Sequence, residues 1–166
     1  ADRAARRAPV AAGRAGREAA EVQRLAGTAL HRVRAAVHGY RTVDLAEQLA
    51  AVAEVLRSCG VRCDVAPPPA DLPANAAAEL AAVLREAGTN VLRHSRAGWC
   101  RIEITREGEV ATMTVRNDGV GADAGPDRHS HGLRGLTERL AAVGGGLRTD
   151  RAGGVFTLRA TVPVTP

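Results

Sequence analysis

Lysine is missing altogether: all 23 basic Lys/Arg positions among the 166 residues are arginine. Without it no Schiff base can form and no Walker-type lysine can meet a phosphate, so any phosphate must be held by arginine, by backbone N–H groups or through a metal. Aromatic residues are nearly as scarce, at 2%, with one Trp, one Tyr and one Phe. That argues against the stacked aromatic platforms on which single-stranded nucleic acids are read, and it leaves Ala, Val and Leu to fill an interior. Three cysteines, Cys59, Cys63 and Cys100, show neither a CxxC pair nor Cys/His zinc spacing, which fits small buried thiols in a reducing cytoplasm. No run of about 18 apolar residues suggests a membrane span, and no signal peptide is read. A cytoplasmic chain is expected, joined to a membrane only through upstream segments absent from it.

What is present is 45% hydrophobic residues, enough for one core, and a net charge of +5 spread along the chain beside abundant Ala and Gly. Scattered arginine reflects composition more than a nucleic-acid footprint, which would gather on one face, so no direct nucleic-acid partner is expected. The organisation expected is an arm over residues 1–43 and a globular domain over 44–166. Residues 1–17, "ADRAARRAPVAAGRAGR", promise little order. From Glu18 to Tyr40 the positions Val22, Ala26, Ala29, Val33, Ala36 and Tyr40 step by four and three alternately, the seam of a helix that packs on a partner or folds back on its own domain.

In the second segment Asp44 caps a helix that repeats Leu45, Leu49, Val52 and Leu56 and stops at Gly60. "VRCDV" alternates as a short strand, and "APPPADLP" is a loop. A long helix follows over Ala74 to Ser95. "WCRIEITRE" and "VATMTVRND" form a hairpin turned at Gly108. "GVGADAGPDRHSHG" is a loop long enough to be a functional lid. "LRGLTERLAAVG" returns to helical period, with Leu133, Leu136, Leu140 and Val143 on one face, and "GGGLRTD" with "GGVFTLRATVPV" makes a second hairpin. Helices on one side of a mostly antiparallel sheet give a two-layer α/β sandwich.

The chemistry gathers in three places. On the long helix, Glu86, Asn90 and Arg93 form a polar stripe beside the apolar stripe of Leu80, Val83, Leu84, Ala87 and Val91. An acid and an amide one turn apart can hold a hydrated magnesium ion and a water; the same stripe also fits a solvated edge with a Glu–Arg pair. "VRNDGVG" ends a strand on Asp118, an acceptor for an exocyclic amine, with Gly119 and Gly121 admitting a flat ring without Cβ clashes, though "DGVG" equally spells a simple turn. "SHGLRGL" opens a helix behind Gly132, offering free N–H groups and a positive dipole end to phosphates, with Gly135 permitting close packing.

In this order, an ExxxN helix, a strand ending in DxGxG, a lid, a GLxGL helix and a terminal strand after Gly153-Gly154, the constellation resembles the ATP-binding domain of histidine kinases and the related gyrase and MutL ATPases, the Bergerat fold. The resemblance covers about Asp44 to Pro163. "REAGTNVLRHSRA", "NDGVGAD" and "HGLRGLTERLAAVGGGL" look most like sensor histidine kinases that pair with NarL-type response regulators. It implies ATP or ADP and Mg2+ as cofactors, with Asn90 ligating the magnesium, Glu86 orienting a water or acting as base, and Arg93 or His94 contacting phosphate. It further implies that Asp118 reads the adenine amine in a pocket shaped by Gly119 and Gly121. His131, Gly132, Leu133 and Gly135 then lie along the backbone that meets the phosphates. The γ-phosphate would be aligned for attack by a histidine and passed to an aspartate on a response-regulator receiver domain; the arm would build a homodimer in the longer protein.

Family members carry the acceptor histidine in a first dimerisation helix, and nothing here matches that motif. His31 and His38, in "TALHRVRAAVHGY", read as surface residues of the second such helix; His129 and His131 are candidates for phosphate contact or solvated loop residues. Gly88 in mid-helix costs about 1 kcal/mol relative to Ala, and Val155 stands where relatives often place Thr near adenine. A catalytic fragment cut from a longer kinase explains the missing acceptor; it would bind nucleotide without phosphorylating itself. The rival readings are a degenerate binding module and an anti-sigma serine kinase of the same fold, although the latter has no use for a heptad arm.

Overall fold

A computed structural model describes residues 44–94, 96–119 and 131–164. The arm with its Val22–Tyr40 seam, His31 and His38, and the stretch with Gly121 and His129, lie outside the described residues; so do the side chains of His94 and His131, whose backbones are described.

The first helix, α1 (Leu45–Ser58), begins where Asp44 Oδ1 accepts from the N–H groups of Ala46 and Glu47 at 2.9 and 3.2 Å, satisfying donors that have no partner within the helix. It ends at Gly60, φ +84°, where the N–H of Val61 reaches back to the Leu56 carbonyl and that of Gly60 to Arg57, both at 3.0 Å, a Schellman closure that needs the left-handed glycine. Strand β1 (Arg62–Val65) follows. Helix α2 (Ala74–His94) then crosses over to β2 (Trp99–Glu107), which pairs with β1 in parallel, Arg62 beside Trp99 and Cys63 beside Cys100. Strand β3 (Val110–Asn117) turns back on β2 at Gly108, φ +58°. Helix α3 (His131–Ala142) precedes the hairpin of β4 (Gly146–Ala152) and β5 (Val155–Pro163), and β5 inserts between β3 and β4 to give the order β1-β2-β3-β5-β4.

Alternation decides which face of the sheet is covered. Cys100, Ile102 and Ile104 of β2 and Ala111, Met113 and Val115 of β3 are buried under the helices, while Arg101, Glu103 and Arg116 point to the open face. Leu80, Val83, Leu84, Ala87 and Val91 of α2 are all buried, as their periodicity requires. The molecule is the two-layer α/β sandwich expected, with all its described helices on one side.

Two local expectations need correction. Val143 does not join the buried face of α3: the helix ends at Ala142, and Val143 is 46% exposed, whereas Leu140 is fully buried. Gly88 is more than a cost to helix stability. A Cβ there would stand 3.0 Å from Val52 Cγ1, so its absence is what lets α1 seat against α2. Helix α3 is tied to the start of α2 by a fork of two hydrogen bonds, Arg139 Nε to Glu79 Oε2 at 2.6 Å and Arg139 Nη2 to Oε1 at 3.0 Å, the planar geometry in which arginine holds a carboxylate most firmly.

Candidate functional site

The carboxyl end of β3 is fastened to the connection between α2 and β2. Asp118 Oδ1 accepts from the backbone N–H groups of Gly98 and Trp99, each at 2.8 Å. Gly119, φ +77°, accepts from the Arg96 N–H through its carbonyl at 3.1 Å. A Cβ on Gly119 would fall on the Arg96 carbonyl and 2.6 Å from the Ala97 nitrogen. The glycine is therefore required by the chain's own backbone, a different reason from the approach of a flat ring that the sequence suggested. Just before it, Asn117 is 2% exposed and its Nδ2 donates to the Asp118 carbonyl at 2.8 Å.

One carboxylate oxygen of Asp118 thus holds the loop. The other, Oδ2, has no hydrogen bond among the described residues, and Gly98 leaves room beside it, since a Cβ there would come no closer than 3.4 Å. An acceptor oriented by its sister oxygen and facing a residue without a side chain suits an exocyclic amine.

On α2, Glu86 and Asn90 are half-buried one turn apart, and Arg93 is exposed. The start of α3 lies directly over the acid: a Cβ on Gly132 would coincide with the Glu86 carboxylate. Acid and glycine are separated in sequence by β2 and β3, and the fold brings them into contact. Asn90 Nδ2 is buried and has no hydrogen-bond partner among the described residues. A buried amide left this way forgoes about 1–3 kcal/mol, and a half-turn of the side chain exchanges its nitrogen for its oxygen, so this position can offer either a donor or a carbonyl ligand.

The remaining candidates sort by environment. Leu133 is half-buried and its side chain packs on the core, while its carbonyl accepts from Thr137 Oγ1 at 2.8 Å. Gly135 is exposed, and a Cβ on it would meet nothing within 4 Å; the close packing expected there is not present. Val155 is half-buried at the start of β5, opposite Ala152. Among the described residues no cluster of three or more His, Cys, Asp and Glu side chains is arranged to hold a metal. The residues that sequence reading overlooked are Asn117, Gly98 and the Trp99 amide. A signal existed for Asn117 alone: it extends the inward alternation of Ala111, Met113 and Val115 with a polar residue.

This five-stranded sheet, with its helices on one side, is the fold of histidine-kinase ATP-binding domains. The ATP-binding domain of PrrB from Mycobacterium tuberculosis matches it with a TM-score of 0.60, covering 75% of this chain and 96% of that one at 17% identity. Full-length ShkA, solved in complex with AMPPNP, matches with a TM-score of 0.60 over 76% of this chain and 31% of that one at 20% identity. By sequence the chain is a homologue of sensor histidine kinases: YvfT of Bacillus subtilis is 31% identical over 157 residues, 89% of this chain. The chain spans 40% of the length of that relative. No protein-family model matches it.

Proposed function

We propose that the chain is the ATP-binding catalytic portion of a two-component sensor histidine kinase, binding Mg-ATP and presenting it for phosphoryl transfer to a histidine outside the matched domain. The observation that carries this reading is the Asn90 amide, buried without a partner among the described residues, one turn from Glu86, in a chain homologous to sensor kinases. A ligand is what satisfies such a group, and the donor set fits. Asn90, turned to offer its oxygen, would hold Mg2+; Asp118 Oδ2 would take the adenine amine; the backbone at Gly132 and Leu133, at the N-terminal end of α3, would face phosphate. Arg93 and the backbone-placed His94 and His131 stand as further phosphate contacts, and Gly121 as part of the adenine pocket.

When bound, magnesium offsets the charge of the phosphate oxygens. The protein's own part is positional. Asp118 fixes the base end while its Oδ1 keeps the Gly98 and Trp99 amides in place, and Glu86 is placed to receive a proton from the attacking imidazole N–H or to orient a water. In the longer protein the arm would supply a homodimer seam and an aspartate of a receiver domain would accept the phosphoryl group, in the cytoplasm. Among the described residues no helix is long and apolar enough to cross a membrane.

Calorimetric titration with Mg-ADP tests the reading. The parent chain should bind, and Asn90→Ala should weaken binding in the presence of magnesium more than in its absence. A parent chain that is folded and binds no adenine nucleotide would overturn it. Supplying the upstream dimerisation helix in trans should then yield acid-labile, base-stable phosphohistidine; phosphoserine would point to the anti-sigma class instead.

A further inference from the structure

Cys63 and Cys100 are direct register partners on the parallel pair β1 and β2. Both side chains point inward, at 2% and 1% exposure. Paired strands run about 4.8 Å apart, inside the Cα separation of about 4.4–6.8 Å that a disulfide spans, so the register brings the two residues within bridging range on the backbone. The thiols are also chemically unequal. The neighbouring Cys100 thiol lowers the Cys63 pKa, and the nearby Arg57 cation works in the same direction against burial and Asp64. Arg57 is held there by its own fork on the Cys63 carbonyl, Nε at 3.2 Å and Nη2 at 2.6 Å. Cys100 is pushed upward by the same contact and by burial. Of the two sulfurs, Cys63 is the one shifted toward the thiolate.

We propose that Cys63 and Cys100 are a reversible disulfide site, closed by peroxides. The Cys63 thiolate attacks the peroxide O–O bond, forming a sulfenic acid and releasing water once the leaving hydroxide takes up a proton. The Cys100 sulfur then attacks Cys63 Sγ, its proton leaving with the displaced hydroxide as a second water. Two thiols and one hydrogen peroxide give one disulfide and two waters; sulfur is oxidised and peroxide oxygen reduced. A small oxidant can enter because β1 is a four-residue strand at the sheet edge, the kind of element that opens locally at low cost. The bond would join that edge to the residue following Trp99, whose N–H is held by Asp118, and which itself pairs with Asn117. The inference goes beyond nucleotide binding and does not depend on it.

The experiment is thiol mapping of the 166-residue chain after dilute hydrogen peroxide in native buffer, with free thiols trapped by N-ethylmaleimide and peptides identified by mass. The expected result is loss of two of the three free thiols, a Cys63–Cys100 linked peptide in monomeric protein with an unchanged far-ultraviolet dichroism spectrum, and full return on adding dithiothreitol. Emission from Trp99, the one tryptophan, should shift on oxidation and recover on reduction. Cys59→Ser should form the same bond at the same rate. A disulfide that includes Cys59, over-oxidation of Cys63 with Cys100 still a thiol, three surviving thiols, or a link formed only in urea would each overturn the proposal.

Discussion

The Glu86 carboxylate occupies the space into which a side chain at Gly132 would grow, so the acid of α2 and the first turn of α3 cannot change independently. Gly132→Ala should destabilise the chain by about 1–3 kcal/mol, the usual effect of forcing a methyl group into filled space. The sign should reverse when the acid is removed first: in a Glu86→Ala background the same substitution gains helix propensity, about 1 kcal/mol for Ala over Gly. Urea unfolding of the four proteins of this cycle measures the coupling. A coupling under about 0.5 kcal/mol, the range of independent sites, would show that the two groups do not meet.

Asp118 divides its work between two oxygens, and substitutions can separate the parts. Asp118→Asn retains an acceptor for the Gly98 and Trp99 N–H groups but replaces the outward acceptor with a donor or rotates one away from the loop. It should cost about 1 kcal/mol of stability and at least about tenfold in Mg-ADP affinity, a loss near 1.4 kcal/mol. Asp118→Ala abandons both amides and should lose stability as well as binding, by about 1–3 kcal/mol. Unfolding midpoints and calorimetric Kd values, read together, distinguish a residue that recognises ligand from one that only closes a loop.

Gly119 and Gly135 both belong to glycine-rich motifs, yet their substitutions should diverge. Gly119→Ala meets a positive φ and the Arg96 carbonyl at once and should cost at least about 2 kcal/mol. Gly135→Ala enters open space within a helix and should stabilise the chain by about 0.5–1 kcal/mol. Thermal unfolding of the two variants is the check; equal effects would mean that the surroundings of one glycine are misassigned.

These glycines also show what could be read from sequence and what could not. Features set by a few neighbouring residues were legible: Asp44 as a cap, Gly60 as a stop, the two hairpins, and the buried stripe of α2 from Leu80 to Val91. Motif order is what singled out Glu86, Asn90 and Asp118 as candidates. The reason for Gly119 did not, because the atoms that exclude a side chain there belong to Arg96 and Ala97, more than 20 residues earlier in the chain. The contact of Glu86 with Gly132 and the pairing of Cys63 with Cys100 are likewise products of tertiary register, which no local spacing encodes. Val143 failed for a simpler reason: helical period continued on paper past the residue where the helix stops.

Gly88 offers the finest balance between local propensity and packing. Ala would normally improve a mid-helix position by about 1 kcal/mol over Gly, but its Cβ would stand 3.0 Å from Val52 Cγ1. Val52 is 4% exposed in α1, and a branched side chain in a helix has essentially one χ1 rotamer, so it cannot swing aside and the helices must part slightly. Overpacking of about 1–3 kcal/mol then outweighs the propensity gain, and Gly88→Ala alone should lower stability by up to about 2 kcal/mol. Truncating the obstacle changes the outcome: in Val52→Ala, already destabilised by a cavity, Gly88→Ala should restore about 1 kcal/mol or more by filling space and favouring the helix. If unfolding measurements find Gly88→Ala equally harmful in both backgrounds, contact between α1 and α2 at this point is not what keeps the glycine.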